Sequence, residues 1–171
     1  KNLADYAQDK AFRTPEAVAI YLENGEHIRF GSIFTEAMAL ATSLSNLGLK
    51  AGDVISFQLP NWRETVALDI AAVWLGLVVN PVIPIYRDHE LAFILADSRC
   101  RCLFIPGVYR GYDFPEMIER LSPELPDLQH VITVRDDAQR EGAANTMLRY
   151  ENLIEPRNEL VPAKQPTDMS A

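Results

Sequence analysis

Asp53-Val54-Ile55-Ser56-Phe57-Gln58-Leu59-Pro60-Asn61-Trp62-Arg63-Glu64 decides the reading of this chain. Residues Asp53 to Leu59 predict a strand, because a short β-branched and aromatic run is bounded by Gly52 and Pro60. Asn61 is placed to cap a helix, and Glu64, three residues on, to complete a capping box. From Val66 to Val79 the chain is apolar enough for a buried helix, stopped at Gly76, and the strand after it. Strand, turn, buried helix and strand make a parallel β-α-β unit.

The unit repeats downstream. Val78 to Val82 predicts a strand closed by Pro81 and Pro84. Arg87 to Ser98 predicts a helix, with Asp88 and Glu90 at the positive end of its dipole and Leu91, Ile94 and Leu95 as its apolar stripe. Cys102 to Ile105 reads as a strand broken by Pro106-Gly107, Phe114 to Leu125 as a helix with Pro115 in its first turn, and His130 to Val134 as a strand. Such alternation over residues 53–134 predicts an α/β fold, an open, mostly parallel sheet with helices on both faces.

Upstream, Leu3 to Phe12 predicts a short helix ended by Thr14-Pro15. Ala17 to Leu22 and His27 to Phe30 predict a β-hairpin preceding the sheet, joined through Asn24-Gly25 with positive φ at both residues and one face buried. Ile33, Ala37, Leu40, Leu44 and Leu47 recur at helical spacing, and Gly48 ends that helix. Beyond Arg135 the periodicity fades. Residues 136–145 read as a polar surface loop, Tyr150 to Ile154 as one helical turn, and 156–171 as a proline-containing connection. The expected organisation is an α/β subdomain over 1–135 and a loop and linker over 136–171.

With 171 residues, 48% hydrophobic and 23% charged, the chain can bury a core. Its net charge of −8 opposes non-specific binding to nucleic acid or an anionic membrane surface. The two cysteines, Cys100 and Cys102, cannot supply a four-ligand zinc site and read as reduced thiols, as in a cytoplasmic protein. No apolar core marks a signal peptide in the first residues, and the longest apolar run, Ile70 to Val79, is half a membrane span.

Parallel sheets bind ligands beyond the carboxyl ends of their strands. The candidate turns there are Pro60-Asn61, Pro84-Ile85-Tyr86-Arg87 and Pro106-Gly107. None is a glycine-rich phosphate loop, and no Gly-x-Ser-x-Gly elbow is present. His27, His89 and His130 lie in separate elements and read as surface or packing residues. Trp62 and Trp74 read as packing residues, and Asp69 as facing an edge or pairing with Arg63 or Arg101. Tyr86 and Arg87 are the most ligand-like pair, a π face beside a cation, against the plainer reading of surface structure. No catalytic constellation or metal site is expected.

An ordered series of segments resembles the adenylate-forming (AMP-binding) acyl-CoA synthetases. It comprises Thr14-Pro15-Glu16-Ala17-Val18-Ala19, Arg29-Phe30-Gly31-Ser32-Ile33, Leu47-Gly48-Leu49-Lys50-Ala51-Gly52-Asp53-Val54-Ile55 and Leu59-Pro60-Asn61. It continues through Leu75-Gly76-Leu77-Val78-Val79-Asn80-Pro81 and Glu90-Leu91 to Asp97-Ser98. Together, Phe57-Gln58-Leu59-Pro60-Asn61-Trp62 and Asn80-Pro81-Val82-Ile83-Pro84-Ile85-Tyr86-Arg87 are most similar to ligases of medium-chain or cyclic carboxylic acids, then to aryl-acid adenylating enzymes. Arg29 departs from the family's usual Thr or Ser.

The resemblance implies a carboxylate attacking the α-phosphate of Mg-ATP to give an acyl adenylate, from which coenzyme A displaces AMP. It also implies that Tyr86 and Arg87 lie near the coenzyme A nucleotide. The family's phosphate loop, its Mg2+-holding Thr-Glu pair, its ribose aspartate and its C-terminal lysine do not occur here. With Lys1 at its start and Ala171 at its end, the chain is expected to be the first subdomain of a truncated enzyme, inactive alone and binding neither ATP, Mg2+ nor coenzyme A by itself. An exposed apolar docking face, available for self-association, would follow. The rival from another class is a complete flavodoxin-like binding module with polar edges. A nucleic-acid binder, the weakest rival, would need a basic face.

Overall fold

The structure, a computed structural model, describes residues 2–138 and 147–155. They form two compact units interleaved along the chain: residues 2–52, 62–77 and 154–155, and residues 53–61, 78–138 and 147–153.

The first unit holds helices α1 (Leu3–Arg13), α2 (Phe30–Asn46) and α3 (Arg63–Leu75), which pack on one another, and the antiparallel hairpin β1 (Val18–Tyr21) and β2 (His27–Arg29). Asn2 and Asp5 form a reciprocal capping box at α1, with bonds of 2.9 and 3.0 Å. On α2 the stripe Ile33, Ala37, Leu40 and Leu44 is buried as its spacing predicts, and Phe34 meets Trp74 of α3 edge-on at 5.9 Å. Gly76 ends α3 in the left-handed region, φ 72°, where Leu77 N–H closes onto the Ala72 carbonyl.

Three expectations change in this unit. The helix α3 begins one residue late, so Trp62 is its N-cap and Thr65 takes the third position, its hydroxyl donating to the Trp62 carbonyl at 2.7 Å. Asn61 and Glu64 therefore make no capping box. In the hairpin only Gly25 has positive φ, 85°; Leu22 N–H reaches the Glu26 carbonyl, giving a three-residue loop in place of a two-residue one. Its Val18 and Ile20 are half-buried. Finally, Arg63 pairs with Glu36 and not with Asp69. Asp69 is partly buried, which raises its carboxyl above the ordinary range.

The second unit is built on a five-stranded sheet ordered β4-β3-β5-β8-β9, with every neighbouring pair parallel. Its strands are β3 (Val54–Phe57), β4 (Val78–Pro81), β5 (Cys102–Pro106), β8 (His130–Val134) and β9 (Leu148–Arg149). Every residue of central β5 is buried, so its continuous apolar run is that of an interior parallel strand. Helices α4 (Asp88–Asp97) and α5 (Phe114–Leu121) flank the sheet, placing Leu91, Leu95, Phe114, Met117 and Ile118 against Leu103 and Ile105. The first turn of α5 accepts Pro115, and Asp113 caps it by receiving Glu116 N–H at 3.0 Å. After Leu121 the chain tightens to a 3-10 turn over Ser122–Glu124, since Pro123 has no N–H to continue the helix.

The two-residue strands β6 (Val108–Tyr109) and β7 (Tyr112–Asp113) form a hairpin absent from the sequence reading, and β9 precedes the expected turn of helix α6 (Tyr150–Leu153). Asp136, expected in a surface loop, is buried; most of that loop and the connection 156–171 lie outside the described residues. At the start of the sheet Arg101 pairs with Asp53 at 2.6 Å, so it too is not the partner of Asp69. No helix among the described residues is long and apolar enough to cross a membrane.

Candidate functional site

The carboxyl ends of β3, β4 and β5 converge in the second unit. There the loop 82–87 leaves β4, Gln58 follows β3, and the β6–β7 hairpin follows β5. The loop opens with Val82 N–H on the Phe57 carbonyl and folds into a turn closed by Tyr86 N–H on the Ile83 carbonyl at 3.1 Å.

Two side chains hold its carbonyls. Gln58 Nε2 donates to Ile83 O and Tyr86 O at 3.1 and 2.9 Å. Arg87 Nη1 donates to Pro84 O and Tyr86 O, each at 2.8 Å. The Arg87 guanidinium lies 4.1 Å over the Tyr112 ring and 5.6 Å from that of Phe114. Its π partner is thus Tyr112 of the hairpin, and not its neighbour Tyr86.

Asp88, the first residue of α4, takes a two-pronged contact from Arg120 at 3.0 and 3.2 Å, while Tyr112 Oη donates to it at 3.4 Å. That guanidinium, the residue's own backbone N–H and the Tyr112 hydroxyl hold the Asp88 carboxyl below its usual range, and the hydrogen bond to Asp88 raises Arg120. Glu90 is likewise lowered, because backbone N–H groups including that of Arg87 donate to it. At the tip of the hairpin Arg110 and Gly111 both have positive φ, 51° and 76°, the pair of conformations a two-residue turn demands. An arginine at the first of these positions hides the turn from sequence reading, which looks for Asn or Asp there.

This arrangement holds a loop in place, and among the described residues it sets no serine, cysteine or lysine beside a base. No carboxylate among the described residues pairs with the Arg87 side chain, whose partners are two carbonyls and the Tyr112 and Phe114 rings. Among the described residues no three His, Cys, Asp or Glu side chains gather to hold a metal ion. Cys100 and Cys102 are buried, and burial pushes both thiols up, Cys102 well above the ordinary value. A surface groove in the first unit, lined by Pro15, Glu16, Arg29, Thr35 and Glu36, spends its charges internally, Arg29 on Glu16 and Glu36 on Arg63.

The structure brings Tyr86 and Arg87 together with Gln58, Tyr112, Asp88 and Arg120, four residues that sequence reasoning missed. Gln58 had a local signal, a polar side chain ending an apolar strand. The others had none, because their partners are distant along the chain.

The clamped loop stands beyond the carboxyl ends of a parallel sheet, where open α/β sheets take their ligands. The profile of the AMP-binding enzyme family matches residues 7–170, and the chain belongs to that family. It is 30% identical over 133 residues to the medium-chain fatty-acid–CoA ligase of Escherichia coli, covering 78% of this chain and 24% of the relative. It is also 30% identical over 132 residues to the vibriobactin-specific 2,3-dihydroxybenzoate-AMP ligase of Vibrio cholerae, covering 77% of this chain and 24% of that enzyme. The crystal structure of an anthranilate CoA ligase in complex with anthranoyl-AMP shares the fold, with a TM-score of 0.78 and 22% identity over all of this chain and 29% of the other. The chain thus spans about a quarter of the length of the curated relatives it matches.

Proposed function

We propose that this chain is part of an acyl-CoA synthetase. The parent enzyme would activate a fatty or cyclic carboxylic acid with ATP and Mg2+ to an acyl adenylate and pass the acyl group to coenzyme A. The observation that carries the reading is the family match over residues 7–170. The similarity to a medium-chain fatty-acid ligase supports the acid class, and the similarity to a 2,3-dihydroxybenzoate-AMP ligase favours aryl-acid adenylation as the second reading.

In this reading residues 1–135 are the first subdomain and 136–171 the connection to the ATP-binding part. The chain itself carries no group that performs the chemistry. Its part is to present Tyr86 and Arg87 to the nucleotide portion of coenzyme A; the unpaired charge of Arg87 on a fixed loop supports that role. A cytoplasmic setting accords with the two buried free thiols. Val78, Ile83 and Ile85 stand exposed on and beyond edge strand β4, Ile85 at 73%, and support self-association through that face.

The test is carboxylate-dependent exchange of pyrophosphate into ATP by a protein containing this chain, with octanoate, cyclohexanecarboxylate and 2,3-dihydroxybenzoate as probes. Exchange with either of the first two, followed by thioester formation with coenzyme A, is expected, and the 171-residue chain alone should show none. Exchange confined to the aryl acid establishes the second reading. Exchange by the isolated chain overturns its assignment as a part.

A further inference from the structure

We propose that Gln58 is the positioning residue of the loop 82–87, setting through two backbone carbonyls how Tyr86 and Arg87 meet a nucleotide. The inference rests on the reading that this loop faces the nucleotide portion of coenzyme A.

Gln58 is 0% exposed, and its own N–H donates to the Phe104 carbonyl of β5 at 2.9 Å, so its backbone belongs to the rigid centre of the sheet. Both hydrogens of its amide go to the loop, to Ile83 O and Tyr86 O, the two residues that close the turn. Reversing the amide would set Oε1 against two carbonyl oxygens, so the loop fixes its orientation. Oε1 itself is buried with no donor among the described residues. A buried acceptor without a donor is unfavourable, and Met or Leu would fill this space without one. The core therefore gives no reason for an amide at this position; the loop does.

With Arg87 donating from the other side, the carbonyls of Ile83, Pro84 and Tyr86 are all held by side chains. A loop ordered in advance spares its ligand the cost of ordering it.

The experiment uses the enzyme that contains this chain, its Gln58→Met and Gln58→Glu variants, and adenosine 3′,5′-bisphosphate as the probe. Hydrogen exchange of the Tyr86 and Arg87 amides is read beside melting temperature and probe affinity. In Gln58→Met those amides should exchange about tenfold faster while the sheet amides keep their protection, and probe affinity should fall about fivefold. In Gln58→Glu the protonated carboxyl can still donate one bond, so loop protection should persist at low pH and vanish as the carboxyl ionises. The wild-type enzyme should lack that pH dependence, and a purely packing role would not produce it.

Unchanged loop exchange in both variants overturns the proposal. So does a loss of protection spread evenly over β3, β4 and β5 in step with melting temperature. Should Gln58→Met fail to fold, the pH profile of Gln58→Glu decides. A wild-type enzyme that ignores the probe while its loop responds as described overturns the nucleotide reading and leaves the positioning role standing.

Discussion

Gly107 lies so close to Asp136 that a β-carbon on it would stand 2.4 Å from Asp136 Oδ1 and 2.7 Å from Asp136 Cβ. The two residues follow β5 and β8, and Gly107 N–H bonds the Val134 carbonyl at 3.3 Å, so the backbone cannot withdraw without breaking that link. Gly107→Ala should destabilise the protein by about 1–3 kcal/mol, the usual cost of overpacking, measured by urea denaturation. A variant as stable as wild type would show that Asp136 is not held there.

Asp69 and Asp88 should act on stability with opposite signs as pH changes. Burial raises Asp69, so the folded state favours its protonated form, and the penalty for ionising it develops as pH rises through its folded pKa. Asp69→Asn should therefore raise the melting temperature at pH 7, with the gain disappearing well below the carboxylate range. A variant that melts lower than wild type at pH 7 would reveal a partner for the carboxylate.

Asp88 is lowered, chiefly by Arg120, so its contribution is present above the unfolded carboxylate pKa and lost as pH falls through the folded one. Because both side chains are more than a third exposed, solvent screening keeps that contribution small. Asp88→Asn should flatten the acid limb of the stability profile slightly and leave the alkaline limb alone. Differential scanning calorimetry across pH 2–8 reads both.

Gly76 holds φ 72° at the end of α3, a conformation that places a β-carbon against the following carbonyl. Gly76→Ala should cost about 1–2 kcal/mol in urea denaturation. Gly31 has no positive φ, but a β-carbon on it would stand 3.2 Å from Pro15 Cβ, so its replacement by Ala tests tolerance of a tight contact and not of backbone strain.

The thiols of Cys100 and Cys102 should resist alkylation by iodoacetamide in the native chain and react on unfolding, because burial disfavours the thiolate. Rapid labelling of either in the folded protein would contradict the placement of β5.

Much of the fold was legible because it is written locally. The steps from Ile33 to Leu44 marked the buried face of α2, Gly76 marked a helix end, and strands separated by helices required parallel pairing. The hairpin of β6 and β7 was not legible, since Arg110 occupies a left-handed position that Asn or Asp usually signals. Of the site, Tyr86 and Arg87 could be singled out as a cation beside an aromatic ring, but the ring that matters is Tyr112.

The amino-acid sequence by itself determined the periods, the breaks, the α/β alternation and the likeness to the AMP-binding enzymes, because each depends on neighbours along the chain. Only the tertiary structure decided the strand order, the meeting of Arg101 with Asp53 across 48 residues, and the clamp of Gln58 on carbonyls 25 and 28 residues away. Residue patterns record which face of an element is buried. Which distant atoms then meet is set when the elements pack, by shape and by the demand that buried polar groups find partners.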